Sequence, residues 1–159
     1  MKKRTDTQNL STEGVDLWHS YLIGLVGRQF YGFSVSVIHS VRRLDSLTSV
    51  PFLPDYFAGV INLHSEIIPV VDGVKLFDER SADPEETPEV CLILGLGKEA
   101  SELVAIKIRQ VFEVVEVANF NLLEADRNNM KPNSLVKAVY RWNKIPVKLV
   151  DGQKLLERL

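Results

Sequence analysis

Short apolar segments rich in β-branched and aromatic residues begin at residue 21, where YLIGLV (21–26) is followed by QFYGFSVSVIHSV (29–41). Runs of this length and composition are typical of β-strands, and Gly27 between them predicts a tight turn. The alternation of apolar positions shifts at Ile38, which predicts a bulge where a strand bends. The first part of the chain therefore reads as a strand pair.

Two prolines precede the next apolar run in SVPFLPDYFAGVINL (49–63), which predicts an irregular crossing that leads into a strand. EIIPVVD (66–72) has the length of another strand. Pro69 lacks the backbone N–H that a central strand needs, so this strand is expected at an edge or at a bulge.

The second half repeats the same kind of pattern. VCLILGLG (90–97) and ELVAIKIRQVFEVVEV (102–117) predict a hairpin, and LVKAVYRW and KIPVKLVD predict two further strands joined at Asn143-Lys144. The C-terminal GQKLLERL is expected to form one or two helical turns with its leucines on one face. Nearly every segment is a short strand, which favours a barrel or sandwich architecture.

Two segments have compositions that do not favour a packed element. Residues 1–17 have no apolar period and predict a flexible leader. Residues 78–90 are acidic and contain two prolines, which predicts a connector. We therefore expect a first barrel over about 20–77 and a second over about 90–152, closed by a helical turn at 152–159.

The two halves also share a line of sequence, VDGVKLF from Val71 and VDGQKLL from Val150, at an offset of 79. VIHSV (37–41) parallels VFEVV (111–115), and the apolar ends align best when Ile38 meets Val111 at an offset of 73. EIIP parallels NKIP at an offset of 77, which predicts two added residues between Pro146 and Asp151. A duplicated unit of this size predicts two small β-barrels that bury a shared seam.

Composition and charge narrow the class of protein. The 159 residues are 45% hydrophobic and 25% charged with a net charge of −2, which is typical of a globular protein and does not favour nucleic acid as a partner. No apolar segment reaches the roughly 20 residues of a membrane span, so membrane insertion is not expected. The single Cys91 fits a reducing compartment, and a cytoplasmic location is expected.

Candidate chemistry is sparse. The three histidines lack metal-ligand spacing, and no cofactor or metal site is predicted. His64 and Ser65 could suggest a base and a nucleophile, but adjacent strand residues point to opposite faces. Asp72 and Asp151, one in each repeat, are expected to cap the helical turns that follow them rather than to bind a ligand.

VPFLPDYFAGVINLHSEIIPVVDGVKLF (50–77) resembles the signature of CheW, the bacterial chemotaxis coupling protein, whose core reads P-x-x-P-x-[YF]-[ILV]-x-G-V-[IVT]-N-L-R-G-x-[IV]-[IV]-P-[IV]-[IV]-D. QFYGFSVSVIHSV and IRQVFEVVEV are similar to two other strands of that family, and the resemblance covers roughly residues 20–159. It implies an all-β fold of two SH3-like barrels side by side with a short C-terminal helix.

The chain departs from the family pattern at two positions where charge is expected. Ser40 stands where the family has Glu, and His64 stands where it has Arg, followed by Ser65 in place of Gly. In the family that Glu and that Arg are expected to lie near each other and to support partner binding. Losing both avoids leaving one charge unpaired, and this predicts a specialised paralogue.

The function implied by the resemblance is a non-enzymatic adaptor that links a methyl-accepting chemoreceptor to a CheA-type histidine kinase, with possible weak self-association. An isolated CheW-like regulatory domain related to a histidine kinase is an alternative, and a small β-barrel enzyme using Asp72 or His64 is a weaker one. The seam between the barrels would supply an apolar floor and a polar rim for a helical partner. The residues predicted to contact partners are Val35, Ile38, His39, Ser40, Asn62, His64, Ser65, Val111 and Glu113.

Overall fold

A computed structural model of the chain describes residues 18–81, 89–96, 102–118 and 134–159. The predicted leader and the larger part of the predicted connector lie outside these ranges. The elements within them are, in chain order, β1 (Trp18–Val26), β2 (Gln29–Ser34), β3 (Ile38–Arg43), β4 (Phe57–Leu63), β5 (Glu66–Asp72), α1 (Gly73–Leu76), β6 (Val90–Leu96), β7 (Glu102–Ile108), β8 (Gln110–Ala118), β9 (Val136–Trp142), β10 (Ile145–Val150) and α2 (Gly152–Arg158).

Tight turns join the hairpins. Both residues of the β4–β5 turn have positive φ, 50° at His64 and 70° at Ser65, and the β9–β10 turn at Asn143 and Lys144 has φ of 48° and 67°. Two positive φ angles give a turn whose twist matches that of the flanking strands. The turn predicted at Asn143-Lys144 is confirmed, as is the β1–β2 turn, where Gly27 has φ 58°.

The described strands form two five-stranded sheets, in the orders β8-β1-β2-β10-β9 and β3-β6-β7-β5-β4. Each sheet has one parallel pair at the same place in its order, β2 with β10 and β7 with β5. The sheets are thus two copies of one arrangement, and α2 follows β10 as α1 follows β5. The predicted all-β fold of two SH3-like subdomains with a short C-terminal helix is confirmed.

The predicted division of the chain into a first and a second barrel is wrong. β1 and β2 pair with β8 and β10, so the N-terminal hairpin completes the subdomain built by the C-terminal strands. β6 and β7 complete the other subdomain together with β3, β4 and β5. Apolar strands of similar pattern can pair in several orders, and only the packed structure selects one.

The internal repeat is more regular than the sequence alignment indicates. The turn residues His64 and Asn143 are 79 positions apart, and so are the helix caps Asp72 and Asp151 (143 − 64 = 151 − 72 = 79). The insertion predicted between Pro146 and Asp151 is therefore wrong, because the offset is unchanged from the turn to the helix.

The bulge predicted near Ile38 is confirmed by a register shift between Ile38 and Ser40 in the β3–β6 ladder. A 3-10 turn, Val35–Val37, precedes it, ends β2 and moves the chain to the other sheet. Two strand details differ from expectation. The segment 102–117 is two strands, broken at Arg109 where the chain again changes sheets. β5 lies inside its sheet rather than at an edge, and it accommodates Pro69 because the parallel ladder to β7 begins only at Val70.

Apolar side chains form three buried clusters. Two fill the individual subdomains, around Ile23 and Leu149 in one and around Ile68 and Ile93 in the other. The third joins the sheets and takes in Phe33, Leu92 and other side chains from both. The predicted shared seam is therefore a core in its own right, and Leu155 of α2 is fully buried in it.

Both aspartates of the repeated line are helix caps, as predicted. Asp72 Oδ1 accepts a hydrogen bond from the Val74 backbone N–H at 2.9 Å. Asp151 Oδ1 accepts from the backbone N–H groups of Gln153 and Lys154, both at 3.1 Å. These bonds satisfy N–H groups that have no partner inside the helix.

Candidate interaction site

The end of the β4–β5 hairpin lies beside β3. Nη2 of Arg42 is 3.4 Å from Nε2 of His64. A guanidinium can only donate, so Nε2 acts as the acceptor in this contact. The contact brings the two stretches that depart from the family pattern, β3 and the hairpin turn, to one surface.

The hairpin turn is held by its own polar groups. Asn62 Oδ1 accepts a hydrogen bond from the Ser65 backbone N–H at 3.0 Å. On β3, His39 Nδ1 lies 3.5 Å from Ser40 Oγ. Asn62, His64, Ser65 and His39 are exposed, so they form a polar surface along this edge of the subdomain.

The apolar residues predicted to line a groove have different environments. Val35 is 39% exposed. Ile38 and Val111 are partly buried and pack against the cluster in the seam. Exposed apolar surface near the hairpin comes instead from Val41 and from Ile67, which is 73% exposed and lies opposite Asn62 in the β4–β5 ladder.

Glu113 and Val111 lie on β8, in the other subdomain. Glu113 accepts a hydrogen bond from Trp142 Nε1, and the rings of Phe112 and Trp142 are 5.5 Å apart. β8 occupies the same place in its sheet order as β3 does in the other. The predicted contact residues thus lie on two equivalent edges rather than on one patch.

Ser65 and His64 are not arranged as a nucleophile and its base. The His64 side chain contacts Arg42, and the Ser65 backbone N–H donates to Asn62 Oδ1. The Asp72 carboxylate caps the N-terminus of α1. Among the described residues, no three His, Cys, Asp or Glu side chains are grouped as a metal site requires.

Sequence reasoning missed a polar cluster between the subdomains. Tyr31 Oη donates to Glu79, and Lys148 Nζ lies 3.3 Å from Oε1 of the same carboxylate. Burial, followed by the hydrogen bond and the charge of Glu79, raises the pKa of Tyr31. Glu79 falls in the segment interpreted as a connector, and its neighbours belong to distant strands, so no local pattern marks it.

A cavity of about 520 Å³ lies next to this cluster. Its polar walls come from Asp78, Glu79, Lys148 and Arg158, and Phe77 and Leu135 contribute apolar surface. Within the ranges that the structure describes, no helix has the length and apolar character to cross a membrane.

Residues 20–159 match the CheW-like domain family, so the chain belongs to that family. The fold of two equivalent subdomains is thus that of a CheW-like domain. The chemotaxis protein CheW of Klebsiella aerogenes is 25% identical over 101 residues, which cover 64% of this chain and 60% of that protein.

Other relatives agree with the assignment. The chemotaxis protein CheW of Treponema pallidum is 31% identical over 92 residues, covering 56% of this chain and 54% of that protein. The scaffolding protein TtCheW of Thermoanaerobacter tengcongensis has the same fold, with a TM-score of 0.68, 18% identity and coverage of 84% of both chains. The matched regions span less than two thirds of the length of these curated relatives.

Proposed function

We propose that this protein is a cytoplasmic, non-enzymatic adaptor that couples a chemoreceptor-type protein to a CheA-type histidine kinase in chemotaxis or related motility signalling. The match of residues 20–159 to the CheW-like domain carries this proposal. Relatives that share the domain are chemotaxis proteins, and one with the same fold is a scaffolding protein.

Partner contacts are proposed at the two equivalent edges. The first is β3 with the hairpin turn, where His39, Ser40, Asn62, His64 and Ser65 form the polar rim. The second is β8, with Glu113 beside Trp142. Val35 would contribute exposed apolar surface, whereas Ile38 and Val111 would support the edges from the core side.

Two edges on one small domain suit a scaffold. An edge strand offers unpaired backbone groups to a second protein, so each edge can hold a different partner. Each contact can be small and weak, because linking many copies in one assembly raises the effective concentration of every binding site.

The first edge favours a specialised paralogue. Ser40 and His64 occupy the positions where the family pattern carries Glu and Arg, and Arg42 contacts His64. A partner that requires an acidic and a basic group at those two positions would find neither the carboxylate nor the guanidinium there. We therefore propose that the chain serves its own receptor and kinase.

Titration of the purified chain with regulatory domains of CheA-type kinases tests this. The domain encoded in the same genome should bind, and a generic domain from another species should bind weakly. The double variant Ser40→Glu/His64→Arg should strengthen binding to the generic domain, whereas Asn143→Arg, at the equivalent turn of the other subdomain, should not.

The two parts of the proposal fail separately. Tight binding of the wild-type chain to the generic domain would contradict the specialised role and leave the adaptor function intact. Absence of binding to both the kinase domain and the receptor signalling fragment of the same genome would contradict the adaptor function itself.

A further inference from the structure

The segment between β3 and β4 exposes an unusual amount of apolar surface. Val50, Phe52, Leu53 and Tyr56 are among the exposed large apolar side chains of the described residues, and Phe52 is fully exposed. We call residues 49–56 the Phe52 loop. Scattered apolar side chains on a surface are common, but several together on one projecting loop indicate an interaction site.

Phe52 also has an unfavourable backbone conformation. Its φ is +65°, in the left-handed region that bulky residues rarely adopt. No aromatic contact among the described side chains involves the Phe52 ring, whereas Tyr56 in the same loop stacks on Phe57 at 4.7 Å. An exposed aromatic residue in a strained backbone conformation lowers the stability of the folded chain. Packing within the fold therefore does not account for a phenylalanine at position 52.

The base of the loop is held firmly. Thr48 and Val60 exchange two backbone hydrogen bonds of 2.9 Å. The Tyr56 carbonyl accepts from the Asp72 backbone N–H at 2.7 Å, and Lys75 Nζ donates to the Asp55 carbonyl at 2.9 Å. Pro51 and Pro54 restrict the chain between these points. The Phe52 ring is thus presented on a preorganised support, which reduces the entropy lost on binding.

We infer that the Phe52 loop is a binding element whose aromatic ring inserts into an apolar pocket on a partner protein. The inference deepens the proposed adaptor function and rests on it. A single convex aromatic side chain on a rigid base has the character of an interface hot spot, and such anchors fill concave pockets.

Two other occupants fit less well. Residues 44–56 contain Asp45 and Asp55 but no Lys or Arg, so an anionic membrane surface would not attract the loop. The cavity beside Glu79 combines apolar walls from Phe77 and Leu135 with the charged groups of Asp78, Glu79 and Lys148. A phenyl ring placed there would desolvate those charges, so this cavity of a second copy is a poor pocket for Phe52.

The test compares two substitutions at residues with positive φ. Asn tolerates the left-handed region, so Phe52→Asn removes the ring without backbone strain, and Lys144→Asn is the matched control at φ 67° in the other subdomain. Neither variant should have a lower melting temperature than the wild-type chain. Each is titrated with the kinase regulatory domain and the receptor signalling fragment of the same genome.

Phe52→Asn should weaken binding to one of these two proteins by about 30-fold or more, the usual effect of removing an aromatic anchor. Lys144→Asn should change it by less than about 3-fold. Unchanged affinity of Phe52→Asn for both proteins would overturn the inference and leave the proposed function standing. Phe52-dependent binding to phosphatidylglycerol vesicles, or Phe52-dependent self-association without partner binding, would overturn it as well.

If the wild-type chain binds neither protein, the proposed function fails and a second experiment decides the inference. A photo-crosslinking phenylalanine at position 52 is then used in the source cells. A crosslinked protein, once purified, should bind the wild-type chain about 30-fold more tightly than Phe52→Asn. Absence of any protein crosslink, or equal affinity for the two chains, would overturn the inference.

Discussion

Lys148 Nζ and Glu79 Oε1 are 3.3 Å apart, although 69 positions separate the two residues in the chain. Lys148 lies on β10 of one subdomain, and Glu79 follows α1 at the end of the other. Tyr31 Oη donates to the same carboxylate. This carboxylate therefore ties the two subdomains together at the seam.

Removing this carboxylate should destabilise the protein. Glu79→Ala leaves the Tyr31 hydroxyl without its acceptor and Lys148 without its counter-ion. Hydrogen bonds to charged groups contribute about 1.5–3 kcal/mol, and we expect a loss of about 2 kcal/mol because Lys148 is partly exposed to solvent. Urea denaturation measures it.

Glu157→Ala is the control for the Glu79 experiment. Glu157 is an exposed residue of α2 with a 3.4 Å contact to Gln153, so its removal should change the unfolding free energy by less than about 0.5 kcal/mol. Equal effects of the two substitutions would show that Glu79 does not tie the subdomains together.

The helix caps should contribute about equally in the two copies of the repeat. Asp72→Ala and Asp151→Ala each remove a side chain that accepts backbone hydrogen bonds, so each should lower the unfolding free energy by about 1 kcal/mol. Asp→Asn at either position should retain most of the stability because the amide oxygen still accepts. Asp55→Ala serves as the control, since that residue uses its backbone carbonyl instead. Thermal unfolding of the five variants provides the comparison, and a neutral effect of both Ala caps would contradict this assignment.

Burial raises the pKa of the Cys91 thiol from its ordinary 9.0 to about 11, with Glu89 adding to the shift and Lys107 opposing it. Between these values the unfolded chain loses the thiol proton while the folded chain keeps it. Stability is therefore fully retained below pH 9 and decreases as the pH rises, with a maximum slope of about 1.4 kcal/mol per pH unit from this group.

The Cys91→Ala variant should show a shallower decrease in stability between pH 9 and 10 than the wild-type protein, measured by chemical denaturation. The buried thiol should also react with iodoacetamide only after unfolding, because the thiolate is the reactive form. Identical pH slopes for the two proteins would contradict the assigned role of Cys91.

Ile38 should behave as a core residue rather than as an exposed contact. It is partly buried and packs against the cluster in the seam, so Ile38→Asp places a carboxylate against apolar side chains. We expect a loss of about 2 kcal/mol or more in denaturant titration. Val35→Asp, at a residue that is 39% exposed, should leave the stability within about 0.5 kcal/mol. A normally stable Ile38→Asp protein would place Ile38 on the binding surface instead.

The sequence predicts only part of the candidate interaction site. The strands on either side of His64-Ser65 follow from local pattern, but the turn at these two residues is not predicted, since they are interpreted as strand residues. The approach of Arg42 to His64 does not follow either, because it joins β3 to a hairpin 22 positions later. The sequence does carry a signal for Ile67 as a surface residue, because this apolar residue follows the polar residues of the hairpin turn. Glu79 carries no such signal, since its environment is built by strands far from it in the chain.

The sequence by itself determined the local elements and the duplication. The strand character of the apolar segments, the turn at Asn143-Lys144 and the aspartate before each helix depend on nearby residues, and the structure retains them. The tertiary structure decided which strands share a sheet, placing β1 and β2 with β8 to β10. Short apolar strands of similar composition present the same backbone groups to any neighbour, so burial of the common seam selects the pairing.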